Sequence, residues 1–77
     1  MTNEITKIQQ LGKNIQKFRK LKGLSQNQLA EILDISREHL AKIETGKRGV
    51  SLKLLFKLSE VLAVEEKEFF VFNSTAL

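Results

Sequence analysis

Four side chains with charged or hydrogen-bonding groups stand together near the middle of this sequence. They are Arg37, Glu38, His39 and Lys42. Leu40, Ala41 and Ile43 beside them are apolar or small, so a helix here would have one polar side and one buried side. In the major groove of DNA, Arg and Lys donate hydrogen bonds to guanine and Glu accepts one from cytosine. The segment therefore predicts base contacts with double-stranded DNA.

Catalysis and metal binding are the other chemistry that such side chains can perform. The chain contains no Cys, and His39 is its single histidine, which leaves too few ligands for a zinc site. No Ser or Thr nucleophile is evidently placed with a base, and the sequence lacks a Gly-rich phosphate loop. We therefore expect no enzyme activity, no bound metal and no cofactor.

Two short helices joined by a tight turn are predicted to position these side chains. Ser25 can cap the first of them and, with Gln28 three residues later, forms the pattern of a capping box. Asp34 and Ile35 leave room only for a tight turn, after which Ser36 can cap the next helix. This spacing is typical of a helix-turn-helix, in which the first helix braces the second across the DNA backbone.

The rest of the chain is also predicted to be helical. A first helix over residues 6–22 precedes the pair, a fourth follows Ser51, and a last helical turn covers residues 65–70. Apolar residues at helical spacing are expected to face the core: Ile8, Leu11, Ile15, Phe18, Leu29, Ile32, Leu33, Leu40, Ile43, Leu52, Leu55, Leu58 and Leu62. No alternating run favours a strand. We expect an all-α fold, a compact five-helix bundle, as one domain over residues 1–77 with a frayed tail at 73–77.

Charge is unevenly distributed along the sequence. Residues 1–58 contain twelve Lys or Arg against five Asp or Glu, whereas residues 59–77 contain one Lys against four Glu. A basic body with an acidic end fits one face that binds a polyanion and another that contacts protein. Ordinary solvated surface charge is the alternative, and the same two interpretations apply to Lys13, Lys17 and Lys20 on the first helix.

No segment indicates a membrane span or an export signal. No apolar run approaches the roughly 20 residues that cross a bilayer, and the polar N-terminus lacks the basic and apolar regions of a signal peptide. The absence of Cys also suits a reducing compartment. We expect a soluble, cytoplasmic protein without membrane contact. A basic amphipathic protein that lies on a membrane surface through its first helix is the alternative.

The order of these residues resembles the large family of Cro and phage-repressor-like regulators, also called the XRE family. The matching residues are Leu24-Ser25-Gln26, Leu29-Ala30-Glu31, Ile35-Ser36-Arg37, Ile43-Glu44, Gly46-Lys47-Arg48, Ser51-Leu52 and Phe69-Phe70. The similarity extends over roughly residues 10–70. The small size is similar to that of the controller proteins of restriction-modification systems. Two positions depart from the family pattern, because Asp34 stands in the turn where Gly is usual and Val50 replaces a Pro in the later loop.

The resemblance implies a lambda-repressor-like DNA-binding domain and a role for each matching residue. The four polar side chains of the third helix would face bases, with His39 also within reach of a phosphate. The DNA backbone would be contacted by Gln26, Ser36, Thr45, Lys47 and Arg48. Such contacts orient a protein on DNA without reading its sequence. Arg19 and Glu44 match an ion pair between the first and third helices, so Glu44 is expected to be structural.

The aromatic C-terminal part contains more apolar side chains than so small a domain can easily bury. One or two of its Phe rings should complete the core, and the remainder should form a contact site. We expect a two-fold homodimer through the fourth and fifth helices. The residues predicted at its interface are Leu54, Val61, Phe70 and Phe72. The alternative is that these residues simply close the core of a monomer.

The prediction is therefore a homodimeric, sequence-specific DNA-binding transcriptional regulator, a repressor or controller protein at an inverted-repeat operator. Its two recognition helices would lie about one DNA turn, roughly 34 Å, apart. Repression by occupying a promoter needs nothing further, whereas activation would need an exposed patch for RNA polymerase, such as Glu31, Asp34 or Glu60. The alternative is an antitoxin or accessory subunit whose acidic, Phe-rich end holds a toxin or another protein partner.

Overall fold

The computed structural model describes residues 4–72, which form helices joined by short loops. Four α-helices, α1 (Glu4–Leu21), α2 (Gln26–Leu33), α3 (Arg37–Glu44) and α4 (Leu52–Leu62), are followed by a 3₁₀ helix over Glu66–Phe70. No strand occurs in this part of the chain, so the all-α prediction is confirmed. Among the helices of residues 4–72, none combines the length and the apolar character needed to cross a membrane.

The fifth predicted helix is the part of the architecture that needs correction. It is a 3₁₀ helix of five residues, in which Glu68 N donates to Glu65 O at 2.9 Å. So short a segment gains few α-helical hydrogen bonds, and the tighter 3₁₀ turn is common at this length. Four α-helices and one 3₁₀ helix thus replace the five-helix bundle. In addition, α1 begins at Glu4, slightly before the predicted start, and the predicted frayed tail at 73–77 lies outside the described residues.

Serine caps begin α2, α3 and α4 where the sequence predicted them. Ser25 Oγ accepts from Gln28 N at 3.0 Å while Gln28 Oε1 accepts from Ser25 N at 2.8 Å, which completes the capping box. Ser36 Oγ accepts from His39 N at 2.9 Å, and Ser51 Oγ accepts from Leu54 N at 3.1 Å. Each cap satisfies an N–H group that has no partner within its helix, so all three helix starts are locally encoded.

Asp34 ends α2 in the left-handed conformation, with φ 59° and ψ 43°. Ile35 N then donates to Ala30 O at 3.0 Å and Asp34 N to Glu31 O at 3.1 Å, which closes the last turn of the helix. Asp adopts this conformation more readily than most residues. The turn therefore forms without the usual Gly, and the chain is redirected into α3 within three residues.

The core lies where the four α-helices and the 3₁₀ helix meet. Its buried apolar residues are Ile15, Leu29, Ala30, Leu33, Leu40, Ile43, Leu55, Leu58, Leu62 and Phe69. The Phe69 ring packs edge-on against Phe18, with 5.7 Å between the ring centroids. Asn14 Nδ2 donates to Phe69 O at 2.8 Å and to Val71 O at 3.1 Å, which fastens the C-terminal segment to α1. One Phe of the aromatic run thus completes the core.

Two residues expected to face the core are exposed. Ile32 is 47% exposed and Leu52 is 69% exposed. In α2, Ala30 takes the buried position, because Leu29, Ala30 and Leu33 lie on one side at 100° per residue while Ile32 lies well away from it. Leu52 is the first residue of α4, and the buried stripe of that helix starts only at Leu55.

A buried ion pair joins α1 to α3. Arg19 Nε lies 2.6 Å from Glu44 Oε2, and Arg19 Nη2 lies 3.1 Å from Glu44 Oε1. Arg19 Nη1 also donates to Leu24 O at 2.8 Å in the loop between α1 and α2. The two residues are 6% and 3% exposed, so little water is available to either charge. Such a pair is costly to break, because the remaining charge stays buried without a partner.

The backbones of α1 and α3 also touch at Gly12. A Cβ placed on Gly12 would overlap the carbonyl oxygen of Ile43 and would lie 2.8 Å from that of Glu44. These neighbours are backbone atoms and cannot turn aside as a flexible side chain can. Glycine is therefore required at this crossing because of space, and it brings α1 within reach of the Glu44 carboxylate.

Substitution Gly12→Ala should lower the free energy of unfolding by about 3 kcal/mol or more, since the methyl group forces α1 and α3 apart. Urea denaturation followed by circular dichroism measures this change. The control is Gly49→Ala, where a Cβ meets no atom within 4 Å and stability should stay within about 1 kcal/mol of the wild type. Equal stability of Gly12→Ala and wild type would contradict the close crossing.

Substitution Arg19→Ala should lower the free energy of unfolding by about 3–5 kcal/mol, because it leaves the Glu44 carboxylate buried and unpaired. The matched control is Lys67→Ala, which removes an ion pair to Glu65 whose side chains are 81% and 72% exposed. That change should stay within about 0.5 kcal/mol of wild type. Denaturant titration of both variants checks the difference, and comparable losses in the two would refute it.

Candidate nucleic-acid interface

The first two turns of α3 present a polar front to solvent. Arg37, Glu38 and Lys42 are exposed, whereas Leu40 and Ile43 on the opposite side are buried. The side chains of these three residues form no hydrogen bond or ion pair within residues 4–72. Because their Nη, Nζ and carboxylate groups are unoccupied within that part of the chain, they are available for an external ligand.

His39 is less free than its neighbours on α3. It is half-buried and lies at a shallow hollow between the helix-turn-helix turn and the start of α4, together with Asp34, Ser51 and Lys53. Its backbone N–H is occupied by the Ser36 cap. The ring therefore stands at the edge of the polar front, beside α4.

Ser36 keeps a hydrogen-bond donor although it caps α3. Its Oγ accepts from His39 N, and a hydroxyl that accepts one bond still has its own proton to donate. The side chain is exposed at the start of α3. Ser36 can thus cap the helix and donate to an anion at the same time.

The loop after α3 presents two free cations. Lys47 and Arg48 are exposed, and their side chains have no partner within residues 4–72. Gly46, at φ 77°, turns the chain sharply against α1, where a Cβ would meet Gln9 Cα at 2.7 Å. Thr45 is different, because its Oγ1 donates to Ala41 O at 2.9 Å and so belongs to the end of α3. The loop therefore exposes two cations, while the residues before them are held against α1 and α3.

Gln26, the first residue of α2, is tied to the buried ion pair. Its Nε2 donates to Glu44 Oε1 at 2.9 Å. The same oxygen accepts from Gln16 Nε2 of α1 at 3.3 Å. Gln16 was not predicted as a site residue, since its position one helical turn before Arg19 is the only feature of the sequence that places it on that side of α1.

Two lysines of α1 lie near the C-terminal segment. Lys13 and Lys17 lie beside Val71 and Phe72 at the C-terminal segment, and Lys17 Nζ stands 4.9 Å from the centroid of the Phe18 ring. This position favours the interpretation of these two lysines as a solvated face near the C-terminal segment. In residues 4–72, no group of three or more His, Cys, Asp or Glu comes together that could hold a metal ion.

The residues predicted at a dimer interface are unequally exposed. Leu54 and Val61 are half-buried against the core, whereas Phe70 is 48% exposed and packs edge-on against Phe72 at 6.3 Å between centroids. Three further apolar side chains, outside the four residues named for the interface, are also exposed: Leu52, Phe56 and Val71. They add to the apolar surface that the core leaves uncovered.

The chain matches the model of a family described as helix-turn-helix over residues 15–69. It is 35% identical over 75 residues to the control protein C.BamHI of Bacillus amyloliquefaciens, and this match covers 96% of this chain and 90% of that one. It is also 38% identical over 56 residues to an uncharacterized helix-turn-helix-type transcriptional regulator of Methanocaldococcus jannaschii, over 73% of this chain and 85% of that one.

A solved structure shares both the fold and part of the sequence. The restriction-modification controller protein C.AhdI from Aeromonas hydrophila superimposes with a TM-score of 0.76 at 35% sequence identity. The match covers 82% of this chain and 96% of that one. The family match spans α2, α3 and the loop after α3, so it includes the helix that carries the polar front and the helix that packs against it.

Proposed function

The chain belongs to the helix-turn-helix family of XRE-like transcriptional regulators, which confirms the resemblance in the sequence, and we propose that it is a homodimeric repressor or controller protein that recognises an inverted repeat. The observation that carries the proposal is the solvent-facing polar front of α3, whose opposite side is fixed in the core. A helix held in this way can enter the major groove with its side chains toward the bases.

In this proposal the exposed residues of α3 read the sequence. Arg37 donates to guanine, Lys42 donates to guanine or a neighbouring acceptor, and Glu38 accepts from the cytosine amino group. His39, at the edge of the front, contacts a base or a phosphate. Each contact is made by a group that is free within residues 4–72, so the protein loses few internal hydrogen bonds when DNA replaces water.

A second set of residues grips the DNA backbone. Lys47 and Arg48 supply charge from the loop after α3, and Ser36 supplies a neutral hydroxyl at the start of that helix. Gln26 supplies an amide at the start of α2, and Thr45 supports the loop from the end of α3. Contacts of this kind set the register of α3 on the duplex and carry no sequence information.

The exposed apolar residues of α4 and of the C-terminal segment support a dimer. Phe56 lies in a hollow that is also lined by two cations and two acids, Lys53, Lys57, Glu60 and Glu66. In a two-fold arrangement each surface meets itself, so the cations of one copy can face the acids of the other around the Phe rings. We propose that this surface joins Leu54, Val61, Phe70 and Phe72 in the interface. The two α3 helices then read one operator in the cytoplasm.

Selection of bound duplexes from a random pool tests the proposal. We expect an inverted repeat whose half-sites lie about one helical turn apart. Repeating the selection with Arg37→Ala should relax the base preference at one position of each half-site, and binding to the best sequence should fall by about 1–3 kcal/mol. If the wild type selects no preferred sequence, sequence-specific regulation is contradicted. If Arg37→Ala weakens binding equally on all sequences, Arg37 does not contact a base.

Lys47→Ala is the counterpart of Arg37→Ala, because it removes a proposed contact to phosphate instead of one to a base. It should weaken binding by about the same factor on every duplex, and the slope of log affinity against log salt should fall by about one. Fluorescence anisotropy over a salt series measures both quantities. An altered sequence preference would place Lys47 at a base instead.

Phe56→Glu should shift the monomer–dimer equilibrium toward monomer by at least about tenfold, because it buries a charge at the proposed interface. The control is Leu21→Ser, which removes an apolar side chain that is 76% exposed on α1 and should leave association unchanged. Sedimentation equilibrium of the three proteins makes the comparison. A wild type that stays monomeric at high micromolar concentration would exclude the dimer.

A further inference from the structure

We infer that Gln16 and Gln26 form a two-amide clamp for one phosphate of the DNA backbone, and that Glu44 is the positioning residue for both amides. The inference deepens the proposed DNA binding and rests on it. It adds Gln16 to the DNA-contacting residues, and it assigns to the buried Glu44 carboxylate a second role beside its ion pair with Arg19.

The geometry brings the two amides to one point between α1 and α2. Glu44 Oε1 accepts from Gln26 Nε2 at 2.9 Å and from Gln16 Nε2 at 3.3 Å. Since both nitrogens lie within hydrogen-bonding distance of one oxygen, they are close enough to donate to oxygens of a single phosphate group. Both side chains are only half-buried, whereas Glu44 is 3% exposed. The amides therefore stand between the buried carboxylate and solvent.

The number of donors leaves one N–H on each amide for an external acceptor. A Gln side chain carries two N–H donors on the same nitrogen, and each nitrogen has one bond, to Glu44, among the described residues. A carboxylate only accepts hydrogen bonds, so it selects the amide orientation in which the NH₂ group, and not the carbonyl oxygen, faces it. Glu44 thus fixes which end of each amide is presented as a donor.

A phosphate can approach this carboxylate because the carboxylate is already neutralised. Arg19 contacts both oxygens of Glu44, at 2.6 and 3.1 Å, from inside the fold. The incoming phosphate then meets neutral donors. The contact should therefore affect affinity without affecting the salt slope, because counterion release follows from cationic groups that neutralise phosphates. This signature separates the clamp from the Lys47 and Arg48 contacts.

Substituting single phosphates by methylphosphonate in the selected duplex tests the clamp. In the wild type, substitution of the phosphate that the two amides contact should lower affinity about three- to tenfold, as expected for lost neutral hydrogen bonds. That cost should become smaller in Gln16→Ala and in Gln26→Ala, because each variant loses one of the two donors, while both variants keep the wild-type salt slope. The control is Gln10→Ala, a glutamine on another side of α1 near Val71 and Phe72, which should retain the full cost.

The Glu44→Gln variant tests positioning. On the unmodified duplex, the folded fraction of this variant should bind about three- to tenfold more weakly than the wild type. On the duplex with the critical methylphosphonate, the variant and the wild type should bind equally. An equal loss on both duplexes would show that Glu44 acts only on the fold. If Glu44→Gln does not fold, side-chain amide order parameters of the free wild type decide the point. Values near those of rigid backbone, about 0.85, support positioning, and values below about 0.6 overturn it.

The outcomes also separate this inference from the proposed function. If the folded wild type selects no duplex, the proposed function fails. If it selects an operator but the cost of every methylphosphonate is the same in Gln16→Ala, Gln26→Ala and the wild type, the clamp is wrong and DNA recognition stands.

Discussion

The burial of one carboxylate, that of Glu44, is the constraint on which the placement of three helices depends. A charge with so little access to water persists only with a compensating charge and enough hydrogen-bond donors, and these come from Arg19 and Gln16 of α1 and from Gln26 of α2. Gly12 permits the close crossing that brings α1 to this point. The orientation of α3 is therefore set at its C-terminal end, while the side chains of Arg37 and Glu38 near its N-terminal end have no partner within residues 4–72.

Much of the fold follows from residues that act on their immediate neighbours. The serine caps, the capping box at Ser25 and the left-handed Asp34 are local, so the helix starts and the tight turn were predicted from the sequence. The apolar spacing predicted the core except at Ile32 and Leu52, whose exposure depends on which side of a short helix its neighbours cover. The 3₁₀ form of the last helix was not predicted, because the same residues suit either kind of turn.

The candidate site was predictable to a different degree in each of its parts. The polar front of α3 follows from alternation with buried residues, and the exposed loop cations follow from their position after Gly46. The contacts of Gln16 and Gln26 with Glu44 join residues 28 and 18 positions apart in the sequence. Such contacts depend on the packing of α1 against α3, which no local pattern specifies. The exposure of Phe56, in contrast, follows from its position off the apolar stripe of α4.

The two hydrogen bonds from Asn14 to the carbonyl oxygens of Phe69 and Val71 have a mechanical consequence. They join the C-terminal segment to the helix that also holds α3 through Arg19 and Gly12. The C-terminal segment proposed for self-association and the helix α3 proposed to read DNA are thus both held against the same helix, α1. In a dimer of such molecules, the distance between the two α3 helices would therefore be fixed. Operators whose half-sites differ from it by one base pair would have to bend or twist to fit, and the elastic energy of DNA would become part of the discrimination.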